Sequence, residues 1–544
     1  MEASTQVRGA VGAVSRRRRL AIRPSMALCA AVAAWAAIPL LTLAGKTLLS
    51  DRSPTGAFGV KPLDQLQYLA WIRQAGDHGF ISNLFTIGPS EHVFFHPFFS
   101  LSGILWRLGV PLQLSYLVWL PVTLAVLLYG VWSYLRRMLP EGPSRWAAFV
   151  LVFFIAPPIV PLLDVANVGL NSESLALLRP FGYELTTAGF LWDYLPKALA
   201  IGLMPLVFIA AERAVHVRGS MRRKLLAAAC GGALAISWLH PWQGVTLILV
   251  LGAVLVWDRF SARKRALVAI ILAAAAPLLY YFALSHTNDD WATASLDQWP
   301  SLGPMAWVGA AIGFAPFLAL AAFGVRKPRE MQEKILILWP IACACTLLVP
   351  GAGWFYAPAG ASIPLAILMV RGWRSLSESA RARGWRLGPV VAVALIAFVT
   401  VPTAIRFGQL FHRQVTQAWF MYYMEPGERQ ALSYLEDSPE RGGVFPTPLY
   451  GAVASSMTGR QSWSGHFAWT PHFSQRQILL SELWSGQLTH RQVRVILQRS
   501  GATFVVADCR FPPPVTMRLL GDAVTPVRTF GCAGVYRING APGT

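Results

Sequence analysis

Long apolar runs separated by short basic clusters fill the first three-quarters of the chain. At roughly 20 residues per crossing, the runs 26–49, 113–135, 146–163, 189–211, 225–239, 242–257, 266–285, 305–325, 335–349, 357–370 and 388–406 predict about eleven membrane spans. The runs 225–239 and 242–257 are short and flank His240-Pro241, the pattern of a re-entrant pair or a broken helix. After the first run comes a long loop, residues 50–111. In it, Lys61-Pro62-Leu63-Asp64 reads as a helix start, with proline early and an acid in the first turn. The helix is expected to run to Gly76 or Gly79. Helical spacing places Asp64, Gln67, Tyr68 and Trp71 on one face, as in a helix lying at the membrane interface.

From about residue 407 the pattern changes. Residues 426–437 read as a helix and 443–447 as a short strand. Thr470 before Pro471 reads as a cap for a helix running to Leu483, with another helix over 489–498. Residues 503–507 and 534–538, rich in β-branched and aromatic types, read as strands. The expected fold class is a polytopic α-helical membrane protein of about eleven spans with a small external α/β C-terminal domain. The expected division is a basic cytoplasmic N-terminus (1–25), a transmembrane domain (26–406), the external domain (407–538) and a tail (539–544).

Composition supports the membrane class: 55% of residues are hydrophobic and only 13% charged. The net charge is +21, and between the apolar runs the basic residues fall in short clusters such as Arg16 to Arg19, Arg136-Arg137, Arg222-Arg223-Lys224 and Arg326-Lys327. That distribution follows the positive-inside rule rather than nucleic-acid binding. It places the N-terminus in the cytoplasm and the C-terminal domain outside a plasma membrane. The first run also has A-x-A matches, as a cleaved signal peptide does, but exceeds the ~7–15-residue apolar core of such peptides. Four cysteines lie in apolar runs; Cys509 and Cys532 lie in the external segment and are expected to pair, a closure worth roughly 3 kcal/mol.

Asp64 is the first chemical candidate. Glycosyl transfer needs a base for the proton of an acceptor hydroxyl. A free Asp, with pKa about 3.9, is a weak base, so partial burial is expected to raise it. Tyr68 offers a hydrogen bond and Trp71 a flat apolar face to a sugar; the bland alternative is an interfacial helix with an N-terminal acid. The stretch Asp64-Gln65-Leu66-Gln67-Tyr68-Leu69-Ala70, followed by Gly76-Asp77-His78-Gly79 and His96-Pro97, resembles the first outer loop of GT-C glycosyltransferases of the protein mannosyltransferase and aminoarabinose transferase branch. The resemblance implies a polyprenyl-phosphate sugar donor, inversion at the anomeric carbon, and Asp64 as the base or acceptor-orienting group. Gln65 stands where that branch usually has a second acid.

Other constellations carry less. His92 and His96 have i, i+4 spacing, but Pro97 ends any helix there and the H-E-x-x-H order is absent, so a phosphate contact or a loop corner is preferred to a metal. Glu184, Asp193, Lys197 and His240 are ionisable at or near membrane depth; Lys197 and His240 are candidates for neutralising a lipid phosphate, against a snorkelling lysine and a kink histidine. Around Ser464-Gly465-His466, the aromatics Trp463, Phe467, Trp469 and Phe473 suit carbohydrate or a packed junction. Asp289-Asp290 and Cys343-Ala344-Cys345 lack further ligands, so no metal is expected. No cofactor is needed, since phosphate leaves as a stable anion. The expected function is a membrane glycosyltransferase moving a sugar from a polyprenyl-phosphate donor to a glycan, lipid or protein acceptor. The alternatives are a lipid-carrier or solute transporter and a scaffold binding cell-wall glycan.

Overall fold

Lipid offers no partner to a backbone N–H or C=O, so an apolar run that crosses it must pair these groups internally, as a helix does. The computed structural model describes residues 24–166, 175–261, 264–296, 303–348, 356–385 and 388–540. The Arg16 to Arg19 cluster and the end of the expected tail lie outside these. Among the described residues seven helices are long and apolar enough to cross a membrane: Pro24–Leu48, Leu112–Met138, Leu195–His216, Ala266–Thr287, Pro304–Phe323, Met331–Leu348 and Pro389–Gln417. The chain is a multi-pass membrane protein.

The expected count of about eleven exceeds this for identifiable reasons. The run 146–163 is cut by Pro157-Pro158 into Pro143–Phe154 and Ile159–Val165. Pro241–Trp257 is only 17 residues long. Gly219–Leu239 spends its first two turns on Arg222, Arg223 and Lys224. Ser362–Ala382 is buried as far as Gly372 and charged beyond it.

The helix Leu195–His216 has two chemically different ends, roughly 33 Å apart at 1.5 Å per residue. Around its C-terminal end, Arg137 pairs with Glu212 at 2.9 Å, and Arg371 reaches Glu333 at 2.7 Å and the Met138 carbonyl at 2.8 Å. Its N-terminal end carries Tyr194 and Lys197 and meets the first loop. That loop folds mainly as two helices, Pro62–His78 (the Asp64 helix) and Pro97–Arg107. Their backbones touch at Gly76 and Gly103: a Cβ on Gly103 would lie 2.6 Å from the Gly76 nitrogen, which explains the glycines. The Asp64 helix is buried on nearly every side and is not the membrane-surface helix its sequence suggests.

Strands β1 (Ser53–Pro54) and β2 (Tyr423–Met424) pair antiparallel, tying the first loop to the chain after the last long helix. The remaining strands are β3 (Gly443–Pro446), β4 (Ala502–Ala507), β5 (Val524–Phe530) and β6 (Ala533–Ile538). They form one sheet in the order β3-β4-β6-β5, with only the β3–β4 pair parallel. Alternation along β4 sends Val505 and Ala507 to a core with Leu480, Trp484 and Leu497. Phe504 and Val506 point the other way, into the core that continues through the first loop into the membrane helices. One apolar interior therefore runs from the long helices to the sheet.

Pro426–Asp437 and His490–Arg499 form where the pattern places them, and Thr489 caps the latter through Gln492. Thr470 is not a cap: it is buried, and the next helix, Phe473–Trp484, starts after His472. Cys509 and Cys532 form a disulfide with Cα atoms 4.7 Å apart.

Candidate active site

The Asp64 helix turns its Asp64, Gln67, Tyr68 and Trp71 face into a cavity of about 500 Å³. His96, Lys197 and His240 line the same cavity, so the expected base Asp64 and the expected substrate contacts Tyr68, Trp71, His96, Lys197 and His240 lie around one space. Each arrives from a different element. His96 ends the extended stretch before Pro97–Arg107, and Lys197 sits in the first turn of Leu195–His216. His240 occupies the break between Gly219–Leu239 and Pro241–Trp257, where Pro241 takes the first helical position.

Asp64 is buried, with one donor on each carboxylate oxygen. Its Oδ1 lies 2.9 Å from His466 Nε2, and its Oδ2 accepts from the Tyr194 hydroxyl. Lys61 Nζ lies 3.1 Å from the same hydroxyl, and its ammonium stands over the Tyr183 and Tyr194 rings at 4.2 and 4.8 Å. Burial alone pushes the Asp64 carboxyl up. The hydrogen bond from His466, the Lys61 ammonium and the Tyr194 hydroxyl oppose it, and the group is held below the usual carboxylate range. The expectation that burial raises Asp64 is thus corrected: the carboxylate is desolvated but compensated.

Behind it, Asp193 accepts from the Lys61 backbone at 2.9 Å and from the Tyr183 hydroxyl. Burial pushes Asp193 up to about 6, against Tyr183 and Lys61. Gln65, at the position where the resemblance implies a second acid, points away from the cavity. Its Oε1 accepts from Phe58 and Gly59 N–H, and its Nε2 donates to the Trp192 carbonyl at 2.7 Å. A glutamate has no N–H for that carbonyl, which accounts for the amide.

Lys197 is neither snorkelling nor unpaired. Its Nζ lies 2.7 Å from Glu184, with side chains 2% and 1% exposed, and it stands 4.1 Å over the Tyr356 ring. His240 packs edge-on against Tyr356. The Nδ1 atoms of His96 and His240 are buried without a hydrogen-bond partner in the protein. Burial holds the His96 ring neutral, its pKa down at about 3. His92 does not share a helical face with His96: it bonds Gln74 at 2.9 Å and stacks near His78. Asp290 is likewise used structurally, by Asn83 and Ser90. Among the described residues no three His, Cys, Asp or Glu side chains converge as an ion would need.

Two walls complete the cavity. One is apolar, with Trp242 and Val245 from Pro241–Trp257 and Leu278 and Phe282 from Ala266–Thr287. Phe282 is itself 63% exposed, so the cavity reaches the outside along an apolar, lipid-suited helix face. The other is aromatic: Trp71, Trp291 and Trp469 pack edge to face at 5.0–5.5 Å. Phe467 and Trp469 come from the segment the sequence marked as aromatic-dense, whereas Trp463 stacks on Phe445 away from the cavity. Sequence reasoning missed Tyr194 and Lys61, and left His466 and Glu184 without roles. Nothing local marks His466, which lies 402 positions from Asp64.

No family model matches the chain, and no curated protein matches it. Among solved structures, it is similar to the oligosaccharyltransferase of Archaeoglobus fulgidus in the apo form, at 11% identity and TM-score 0.46, covering 92% of this chain and 73% of that one. It is also similar to ArnT from Cupriavidus metallidurans. The apo form aligns at 11% identity and TM-score 0.46 over 95% of this chain and 100% of that one. The form bound to undecaprenyl phosphate aligns at 12% identity and TM-score 0.45, over 94% and 99%. At TM-scores below 0.5 these likenesses establish neither fold family nor activity, and the functional reading stands on the geometry of the cavity.

Proposed function

We propose that the chain is a membrane glycosyltransferase that moves a sugar from a polyprenyl-phosphate donor to an acceptor hydroxyl at the outer membrane face. The observation that carries this is one cavity joining a compensated, buried carboxylate to an apolar wall that reaches the lipid-suited surface. A polyprenyl chain fits against Trp242, Val245, Leu278 and Phe282. The donor phosphate then lies near Lys197, His96 and His240, which line the cavity on the side of the Asp64 helix. The aromatic wall at Trp71, Trp291 and Trp469 suits sugar faces.

In the reaction, the acceptor oxygen attacks the anomeric carbon from the face opposite the phosphate, so configuration inverts. The bond from that carbon to the phosphate oxygen breaks and the phosphate leaves with the electron pair. Asp64 takes the hydroxyl proton as the new bond forms; a positioned base of this kind contributes roughly 10²–10⁴-fold. Tyr68 and Trp71, on the same helix face, position the sugar. The basic residues around the far end of Leu195–His216 face the cytoplasm in this reading, and the sheet-bearing C-terminal segment lies outside.

Asp64→Asn keeps the shape and removes the base. Transfer of radiolabel from a polyprenyl-phosphate sugar into the membrane fraction is expected to fall at least ~100-fold, with the variant inserted and folded. Unchanged transfer overturns Asp64 as base.

A further inference from the structure

The Asp64 carboxylate belongs to the membrane-proximal loop, yet its Oδ1 partner comes from the far end of the chain. His466 is buried beside it, in the segment between the helices Gly451–Thr458 and Phe473–Trp484. The His466 ring is fixed at both nitrogens. The Ala468 N–H donates to Nδ1 at 3.2 Å, so the ring proton sits on Nε2, which lies 2.9 Å from Asp64 Oδ1. The backbone around the ring is pinned as well. The N–H groups of Gly465 and His466 donate to Thr470 Oγ1 at 3.1 and 3.3 Å, and that hydroxyl donates to the Phe85 carbonyl at 2.7 Å. Ser462 N–H reaches the Leu84 carbonyl at 2.8 Å, and Asn83 Nδ2 reaches the Trp469 carbonyl at 2.9 Å. A Cβ on Gly465 would run into the Phe85 ring, so the segment docks closely on residues 83–85 of the first loop.

We propose that His466 is a positioning residue for the base, a neutral imidazole whose Nε2–H orients Asp64 and keeps it ionised, so that docking of the C-terminal segment completes the transfer site. The inference rests on the reading of Asp64 as the base. His466 donates to one carboxylate oxygen and Tyr194 to the other, and each oxygen keeps a lone pair for a proton from the cavity that Asp64 lines. The ring holds its proton throughout; the substrate proton goes to Asp64.

The other groups bearing on Asp64 do not substitute for His466. Lys61 acts through the Tyr194 hydroxyl, and Lys197 is neutralised by Glu184. Asp193 is negative when ionised, and the nearby phenols of Tyr68 and Tyr356 are neutral. Burial alone drives Asp64 toward protonation, and the His466 contact is foremost among those opposing it. Removing the imidazole therefore raises the acidic limb of the rate profile. Above that limb the carboxylate is ionised again and, having lost a donor, is the stronger base.

The test is the pH dependence of kcat/KM for transfer from a radiolabelled polyprenyl-phosphate sugar, in purified full-length His466→Ala, His466→Gln and Asp64→Asn. His466→Ala is expected to move the acidic limb up by about one unit, a roughly tenfold loss on that limb that disappears at alkaline pH. His466→Gln, whose amide N–H replaces Nε2–H, restores the limb to within a few tenths of a unit. If His466→Ala loses activity equally at every pH, or leaves the limb unmoved, the positioning role is overturned. The same holds if His466→Gln is as shifted as His466→Ala while both unfold at the wild-type temperature. An inactive Asp64→Asn with an unmoved His466→Ala limb overturns this inference alone, whereas an active Asp64→Asn overturns the reading of the base beneath it.

Discussion

Asp64 keeps a negative charge in a buried site because each oxygen has a donor and an ammonium stands one hydroxyl away. A desolvated but compensated carboxylate differs from one that is merely buried, since the hydrogen bonds fix its orientation as well as its charge. Gln65, its neighbour in sequence, does the opposite kind of work, sealing three backbone groups behind the site. The two adjacent residues face opposite ways, so a pair of acids here would not have formed a catalytic dyad. Lys197 and Glu184 belong to the same scale. Removing one member of a buried pair leaves an uncompensated charge, at a cost of about 3–5 kcal/mol, while replacing both with apolar groups is often close to neutral. Lys197→Met is therefore expected to lower the thermal unfolding midpoint in detergent sharply, and Lys197→Met with Glu184→Met to recover most of the loss. A single variant as stable as the double one would show that the pair carries no such charge balance.

Among elements, the Asp64 helix has ends set by local sequence and surroundings set by packing. Its limits, Pro62 to His78 with Gly79 behind, follow from an early proline and a glycine at positive φ, both visible in the sequence. Its surroundings were not visible. Arg73 on its rear reaches the Ser456 and Met457 carbonyls and pairs with Glu436 at 2.7 Å, so a helix that reads as interfacial is enclosed by the C-terminal segment. The disulfide ties the end of β4 to the turn before β6. A bond closing 23 positions stabilises by about 3 kcal/mol through the entropy it removes from the unfolded chain. Cys509→Ser with Cys532→Ser, or reduction of the wild type, is expected to lower the unfolding midpoint, with the double variant insensitive to reductant; equal midpoints would remove the bond from the stability argument. The strands β4 and β6 and the helices Pro426–Asp437 and His490–Arg499 were legible from alternation, proline position and capping chemistry. The edge strand β5 was not, because Val524–Phe530 is half exposed and carries a proline, with little apolar alternation to read.

For the whole molecule, the two ends of Leu195–His216 separate a basic, ion-paired side from the side holding the cavity and the sheet. If the basic side is cytoplasmic, Cys509 and Cys532, once reduced, should react with a membrane-impermeant maleimide added to intact cells. Labelling only in inverted vesicles would reverse the orientation. The apolar interior is continuous between the long helices and one face of the sheet, so the C-terminal segment is part of the wall of the site rather than an appendage. The sequence by itself determined the membrane class, the helix bearing Asp64 and the face it presents, because hydropathy, helical spacing and proline position are local properties read within a few turns. It also marked Lys197 and His240, since ionisable groups at membrane depth are expensive and rarely idle, and both line the cavity. Only the tertiary structure decided how many runs are long enough to cross, that Lys197 is already neutralised, and that Asp64 is held by Tyr194 and by a histidine 402 positions away. Those facts depend on which surfaces pack together, and a hydrogen bond between distant residues leaves no periodicity in the chain to read.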